Sequence, residues 1–257
     1  MTRNEFFEKL KNESETNQDF ILTLLKLRGF LIEKDRDKLY LSDNSHMSDF
    51  KYLYDLLEKY ELGEIVNSKI VLYDTDCSKF IENEFRENNQ IGGESCSVFR
   101  DWRYFRNREH GHKAAVSWLE PFIAHYIKAI SACCVLTVGS CDGNHPGKNM
   151  MFIMTEGAGS IPWHKLICEK CLVGKYDINW INDYTAMKFS PNTKYDTYYE
   201  VNRAAEFLYK NRIKIRNIKD TAFQGMADIG LRYRHASEEI EKEFIGRASE
   251  LFDKSGI

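Results

Sequence analysis

Proline is scarce in this chain, four residues in 257, and its fifteen glycines gather into no Pro-, Gly- or Ser-rich tract. A composition of that kind leaves no low-complexity linker, and no segment recurs at a fixed period, which argues against solenoids and propellers. Long apolar runs are missing too: nothing approaches the ~18 consecutive apolar residues that span a bilayer. The N-terminus, Met1-Thr-Arg-Asn-Glu-Phe-Phe-Glu8, lacks the basic-then-apolar order of a signal peptide. A cytoplasmic protein without a membrane partner is the expectation. There is no Gly-x-Gly-x-x-Gly after a strand and no Walker loop, which argues against the common dinucleotide and P-loop folds and leaves any cofactor unassigned.

Cysteine is plentiful, but not as a framework. Seven residues at irregular spacing, an odd number in a chain of this size, read as reduced thiols. Cys133 and Cys134 lie inside an apolar run and read as core. With 43% hydrophobic residues the chain can bury a substantial core. Its net charge of −3 is unevenly spread: residues 1–97 hold 13 basic and 20 acidic side chains, residues 98–257 hold 23 and 19. The second part is the better place to look for an anionic ligand.

Hydrophobic periodicity predicts helices over 3–12 and 18–28, the second closed by Gly29. A hairpin follows, Phe30–Glu33 against Lys38–Leu41, and then a helix capped by Ser48 with Phe50, Leu53, Leu56 and Leu57 on one face. Lys69-Ile-Val-Leu-Tyr73 has a buried-strand pattern, and Asp74-Thr-Asp76 leads into a helix ending before Gly92-Gly93. Pro121 suits the first position of a helix. Strands at 133–139 and 149–155 pair around a polar turn, a helix runs from Pro162 through Cys171, and short strands lie near 176–181 and 184–189. From Tyr195 onward the chain reads as helical. The fold class is therefore α+β, a central, mostly antiparallel sheet flanked by N-terminal and C-terminal helices. It is organised either as a helical entry module, 1–66, followed by a mixed domain, 67–257, or as one continuous domain.

The chemistry concentrates in Val135-Leu-Thr-Val-Gly-Ser-Cys-Asp-Gly-Asn-His145-Pro, where a run of strand formers meets a thiol, a carboxylate, an amide and an imidazole. A hairpin turn needs only Asp-Gly or Asn-Gly, so Cys141 and His145 call for another explanation. In a folded-back turn His145 reaches Cys141, Asp142 or Asn144 orients the ring, and the glycine amides face a developing anion. Cys141, His145, His110, His112 and Asp142 are the candidate catalytic residues. Ser140, Gly143, Asn144, Arg100, Arg103, Trp163 and His164 are the candidate substrate contacts. Arg100, Arg103, Arg106, Arg108 and Lys113 interleave with Trp102, Tyr104 and Phe105, the residue types that hold phosphates and stack bases. A second basic run, Lys210, Arg212, Lys214, Arg216 and Lys219, reads as a solvated helical face.

Two constellations bear on metals. His164-x-x-x-Cys168-x-x-Cys171 offers three zinc-type ligands within two helical turns, but in an apolar helix these read as buried thiols, and no metal is assigned to them. Asp74 and Asp76 at a strand end could hold a divalent cation, against a plain cap of the next helix. The strand ending in Asp-x-Asp also resembles the first motif of haloacid dehalogenase-type phosphotransferases and the metal-binding pair of some glycosyltransferases.

The segment Thr137-Val-Gly-Ser-Cys-Asp-Gly-Asn144, followed by a strand and Trp163-His164, resembles the Ser-Cys-x-Gly-Arg hairpin of the tRNA wybutosine-synthesising methyltransferase family. It is similar also to Ser-Cys-x-Gly-His turns of phage and bacterial proteins. The resemblance covers about thirty residues, with Asn144 where that family has arginine, and it implies a nucleotide or RNA ligand near Ser140, Cys141 and His164. The order His110-Gly111 then Cys141 is similar to that of caspase-type cysteine peptidases, which would make them a dyad. The expectation is an enzyme, a transferase or hydrolase, acting on a nucleotide or nucleic-acid-like anionic substrate. The rivals are a non-catalytic nucleic-acid or protein binding module, phage or defence related, and a caspase-like peptidase.

Overall fold

The computed structural model describes residues 1–86, 114–144, 150–155, 159–178, 180–181, 186–188, 194–226 and 238–257. Its described elements, in chain order, are α1 (Arg3–Asn12), α2 (Asn17–Leu27), β1 (Ile32–Asp35), β2 (Lys38–Leu41), α3 (Asp49–Lys59), β3 (Gly63–Val66), β4 (Lys69–Leu72) and α4 (Ser78–Glu84). After a short 3-10 turn at Val116–Trp118 come α5 (Pro121–Ala132), β5 (Thr137–Cys141), β6 (Met150–Thr155) and α6 (Ser160–Ile167). A π-helical turn (Cys168–Leu172), β7 (Trp180–Ile181), β8 (Ala186–Lys188), α7 (Lys194–Phe223) and α8 (Glu238–Ser255) complete it. The class is α+β, with helices at both ends.

In place of one central sheet there are two four-stranded antiparallel sheets, ordered β1-β2-β4-β3 and β5-β6-β8-β7. Lys69–Leu72 joins the first sheet because it pairs along its length with β3, from Gly63↔Leu72 to Val66↔Lys69. Its side chains alternate, Ile70 and Leu72 buried, Lys69 and Val71 exposed. It is thus a one-sided strand rather than the fully buried one its apolar run suggests. The boundary drawn between residues 66 and 67 falls in the turn of this hairpin, at Asn67 and Ser68, both with positive φ (50° and 62°). Strand β5 begins at Thr137, not Cys133. Cys133 and Cys134 instead form the turn that ends α5, and Cys134 sits at φ 67°.

The pivot of the molecule is α5, every residue of which is buried. Pro121 occupies its first turn, where a missing N–H costs nothing. A helix buried all round must be apolar all round or satisfy what is not. Its two ionisable nitrogen side chains are satisfied, whereas the buried Ser131 hydroxyl has no hydrogen-bond partner among the described residues: Lys128 Nζ donates to Asp49 Oδ2 at 2.6 Å and to Ala114 O at 2.8 Å. His125 Nδ1 donates to Asn202 Oδ1 at 2.7 Å. Phe122 stacks on Tyr198 of α7, ring centroids 4.4 Å apart and planes 8° from parallel. Thus α5 links the N-terminal helices to α7, and Glu120, its N-cap residue, stands beside the end of β5. No helix among the described residues is long and apolar enough to cross a membrane.

Candidate functional site

Strand β5 runs antiparallel to β6 with Ser140 opposite Ile153 and Cys141 opposite Phe152. A bulge between Thr137 and Gly139 shifts the register, and bulges re-aim the side chains that follow them. Past Cys141 the chain turns at Gly143, φ 72°, a left-handed conformation that glycine adopts without a Cβ penalty. The Asn144 amide donates to Asp142 Oδ1 at 2.8 Å and the Gly143 amide to Cys141 Sγ at 3.4 Å. These local bonds are the ordinary chemistry of Asp and Cys at a turn.

What the motif alone does not announce is who meets it. Glu120 Oε2 accepts the Asp142 amide at 2.6 Å, and the Tyr198 hydroxyl donates to Asp142 O at 2.8 Å. Lys194 Nζ donates to Asn144 Oδ1, and Asn144 Nδ2 donates to Arg86 O at 3.4 Å. The turn is therefore clamped between the N-terminus of α5 and the first turns of α7. Ligand atoms of Glu120, Cys141 and Asp142 lie within 4.8 Å of one another, the one such group of three among the described residues. Cys141, Asp142 and Asn144 are buried while Ser140 is half-buried.

Electrostatics set the state of the thiol. Burial pushes Cys141 up to about 11, opposed by the Gly143 N–H bond and reinforced by the Glu120 and then the Asp142 carboxylate. At neutral pH Cys141 is a protonated thiol, not a resting thiolate. Its described neighbours are carboxylates rather than a cation or an imidazole.

Two candidate contacts lie in the core instead. Trp163 is wholly buried, donates from Nε1 to Cys133 O at 2.8 Å and packs on the rings of Phe244 and Phe252. It has no face left for a substrate. His164 is also wholly buried, its Nε2 3.2 Å from the Tyr126 hydroxyl, which lies 3.7 Å from Cys168 Sγ. Burial drives His164 down to about 3 and Cys171 up to about 12. These residues are neutral core groups, and His164, Cys168 and Cys171 do not converge as a ligand set. Asp76 lies one residue before Cys77, the N-cap of α4, and accepts the Ser78 amide at 3.1 Å and hydroxyl at 2.7 Å. Ser48 precedes α3 but makes no side-chain cap; its hydroxyl pairs with His46 Nδ1 at 2.7 Å.

The second basic run is not one solvated face. Arg212 pairs with Glu33 Oε1 at 2.8 Å, and Lys219 is wholly buried, where desolvation lowers its pKa. Arg100, Arg103, His110, His112 and His145 fall outside the described residues, as do Arg106, Arg108 and Lys113. Reading the motif missed Glu120, Lys194 and Tyr198. Only Glu120 left a signal, as the residue before a helix-starting proline, and that signal spoke of a helix start rather than of Asp142. No family model matches this chain, and neither a curated protein nor a solved structure does.

Proposed function

We propose that the Ser140–His145 turn is the working centre of an enzyme acting on a nucleotide or nucleic-acid-like anionic substrate. One observation carries the reading: Glu120, Cys141 and Asp142 meet at a strand end, and no local turn requires the distant Glu120 to come there. Carboxylates beside a protonated thiol suit proton transfer. In this scheme one carboxylate, Asp142 or Glu120, accepts the proton of an attacking water or hydroxyl as its oxygen bonds to phosphorus, the bond from phosphorus to the leaving oxygen breaks, and Cys141 donates a hydrogen bond to that leaving oxygen. Lys194 and Asn144 supply the polar edge that meets the anion. The raised Cys141 pKa favours this role over the cysteine-peptidase alternative, in which the thiol must be lowered to attack.

A second reading has an observation of its own. The Asp142 carboxylate and the Asn144 amide are spent on backbone partners, as expected of a turn that shapes a non-catalytic binding surface.

The two readings separate on Cys141→Ser and Glu120→Gln, compared with the wild type for hydrolysis of nucleoside phosphates and short RNA, with folding followed by circular dichroism. Activity in the wild type that falls at least tenfold in Glu120→Gln, with an unchanged melt, supports the enzyme. Binding without turnover in all three proteins moves the assignment to the binding module. Neither turnover nor binding removes both.

A further inference from the structure

A cavity of about 420 Å³ opens on the middle of α7, away from the turn, between that helix and the segment after the π-helical turn. Its volume lies within the roughly 300–1,000 Å³ typical of small-molecule sites. Tyr176 and Phe207 form its apolar walls, their ring centroids 6.2 Å apart and planes 58° from parallel, an open wedge rather than a closed stack. Cations rim it. Arg203 lies 5.7 Å from the Tyr176 ring, with its Nη1 paired to Glu200 Oε1 at 3.2 Å, and Lys210 also lines the cavity.

The floor is polar and built. Asn202 and Glu206 sit one helical turn apart on the same face of α7, and both line the cavity. Asn202 is fixed by His125, which occupies its Oδ1 and leaves the amide nitrogen as a donor. Glu206 is anchored by Lys26 on Oε1 at 3.0 Å, which leaves Oε2 as an acceptor. A donor beside an acceptor at the base of an aromatic wedge matches the pairing edge of a nucleobase. Adenine and guanine both present an acceptor and a donor there; guanine is favoured because its O6 faces the amide while two N–H groups, N1–H and N2–H, face the negative carboxylate, against the single N6–H of adenine. Arg203 and Lys210 then lie where a phosphate would emerge.

We propose that this cavity is a second ligand site, for a guanine mononucleotide, with the base against Phe207 and Tyr176, its edge read by Asn202 and Glu206, and its phosphate held by Arg203 and Lys210. It does not rest on the reading of the Ser140 turn. Lys194 and Glu206 are twelve residues apart on one helix, roughly 18 Å, so each site can be removed without the other.

The test is calorimetric titration of the full chain with GMP, and with AMP for comparison. The wild type is expected to bind GMP, and Phe207→Ala to weaken it about tenfold, the scale of one base-stacking contact. Arg203→Gln, at an exposed position that also pairs with Glu200 and lies over Tyr199, should weaken GMP severalfold and lower the salt dependence, with an unchanged melt showing that the fold is intact. Glu206→Gln should narrow the preference for GMP over AMP, and Cys141→Ala should leave binding unchanged. No binding of millimolar GMP by the wild type overturns the proposal. So does binding that survives both Phe207→Ala and Arg203→Gln, and loss in Cys141→Ala alone would place the nucleotide at the turn instead.

Discussion

Burial, more than residue type, decides what each titratable side chain in this protein can do. Cys141 and His164 belong to one sequence motif, yet the first sits among carboxylates at a strand end and the second is enclosed beside Tyr126. For His164 the cost of charging in an apolar enclosure holds the ring neutral until about pH 3. An unfolded chain takes up that proton near the ordinary value of about 6.5. Between those limits the unfolded state binds more protons than the folded one, so the stability that His164 contributes is complete above about pH 6.5 and is lost as pH falls toward 3. The slope approaches ~1.4 kcal/mol per pH unit. Urea unfolding at pH 7, 6, 5 and 4 should therefore show a shallower acid decline in His164→Gln, which keeps a polar partner for Tyr126. Parallel declines for the two proteins would mean that His164 is not the group being titrated. His125, which burial also holds below its usual value, accounts for part of the decline that remains.

At the level of elements, helices were the most legible part of the sequence because their stripes and stop signals are local. Gly29 was read as the end of α2, and the structure gives it φ +113°. It also places Gly29 where an added Cβ would come 2.7 Å from the Ala124 Cβ on α5, a contact with a helix nearly a hundred residues away that no local pattern encodes. Both features act on Gly29→Ala, which should destabilise by about 1–3 kcal/mol, as read from the denaturation midpoint. The double variant with Ala124→Gly separates the two causes. If contact dominates, the second change recovers most of the loss; if backbone strain dominates, the losses add. Strands were less legible for the converse reason. Lys69–Leu72 shows an apolar run, but its partner β3 begins with a glycine and carries only Ile65 and Val66 as strand formers. The β3–β4 hairpin was therefore invisible, and the first sheet was legible only as the β1–β2 hairpin and a separate strand. Cys133 and Cys134 read as strand because they are apolar, whereas the Cys134 backbone turns left-handed to leave α5. The site divides in the same way: Ser140 through Asn144 announce a polar turn, while Glu120, Lys194 and Tyr198 reach it only through the packing of α5 against α7.

Across the whole molecule, charged side chains are buried mainly where the N-terminal part meets α5. Asp49, in the first turn of α3, accepts Lys128 Nζ and the Val116 and His46 amides, at 2.6, 2.8 and 2.9 Å, and the ion pair is almost wholly buried. Arg28, at the end of α2, donates to Val116 O and Leu119 O, both at 3.1 Å, to Tyr52 at 2.8 Å and to Glu84 at 3.3 Å. Two such networks at one seam make it selective, because an unpaired charge there is costly while a matched pair is close to neutral. The apolar residues on both sides pack into one continuous core, so the two parts should unfold together. Circular dichroism, which reports all the helices, and tryptophan fluorescence, to which the buried Trp163 and the exposed Trp118 both contribute, should give coincident urea transitions in the wild type. Lys128→Met, which leaves Asp49 charged and unpaired, should lower stability by about 3–5 kcal/mol. Asp49→Leu with Lys128→Met removes both charges and should recover much of that loss, less the amides of Val116 and His46, which also depend on Asp49. Separate transitions in the wild type would mean that the seam is a contact between two independently folding units. A double variant no more stable than Lys128→Met would mean that the Asp49 carboxylate matters for the Val116 turn more than for the lysine.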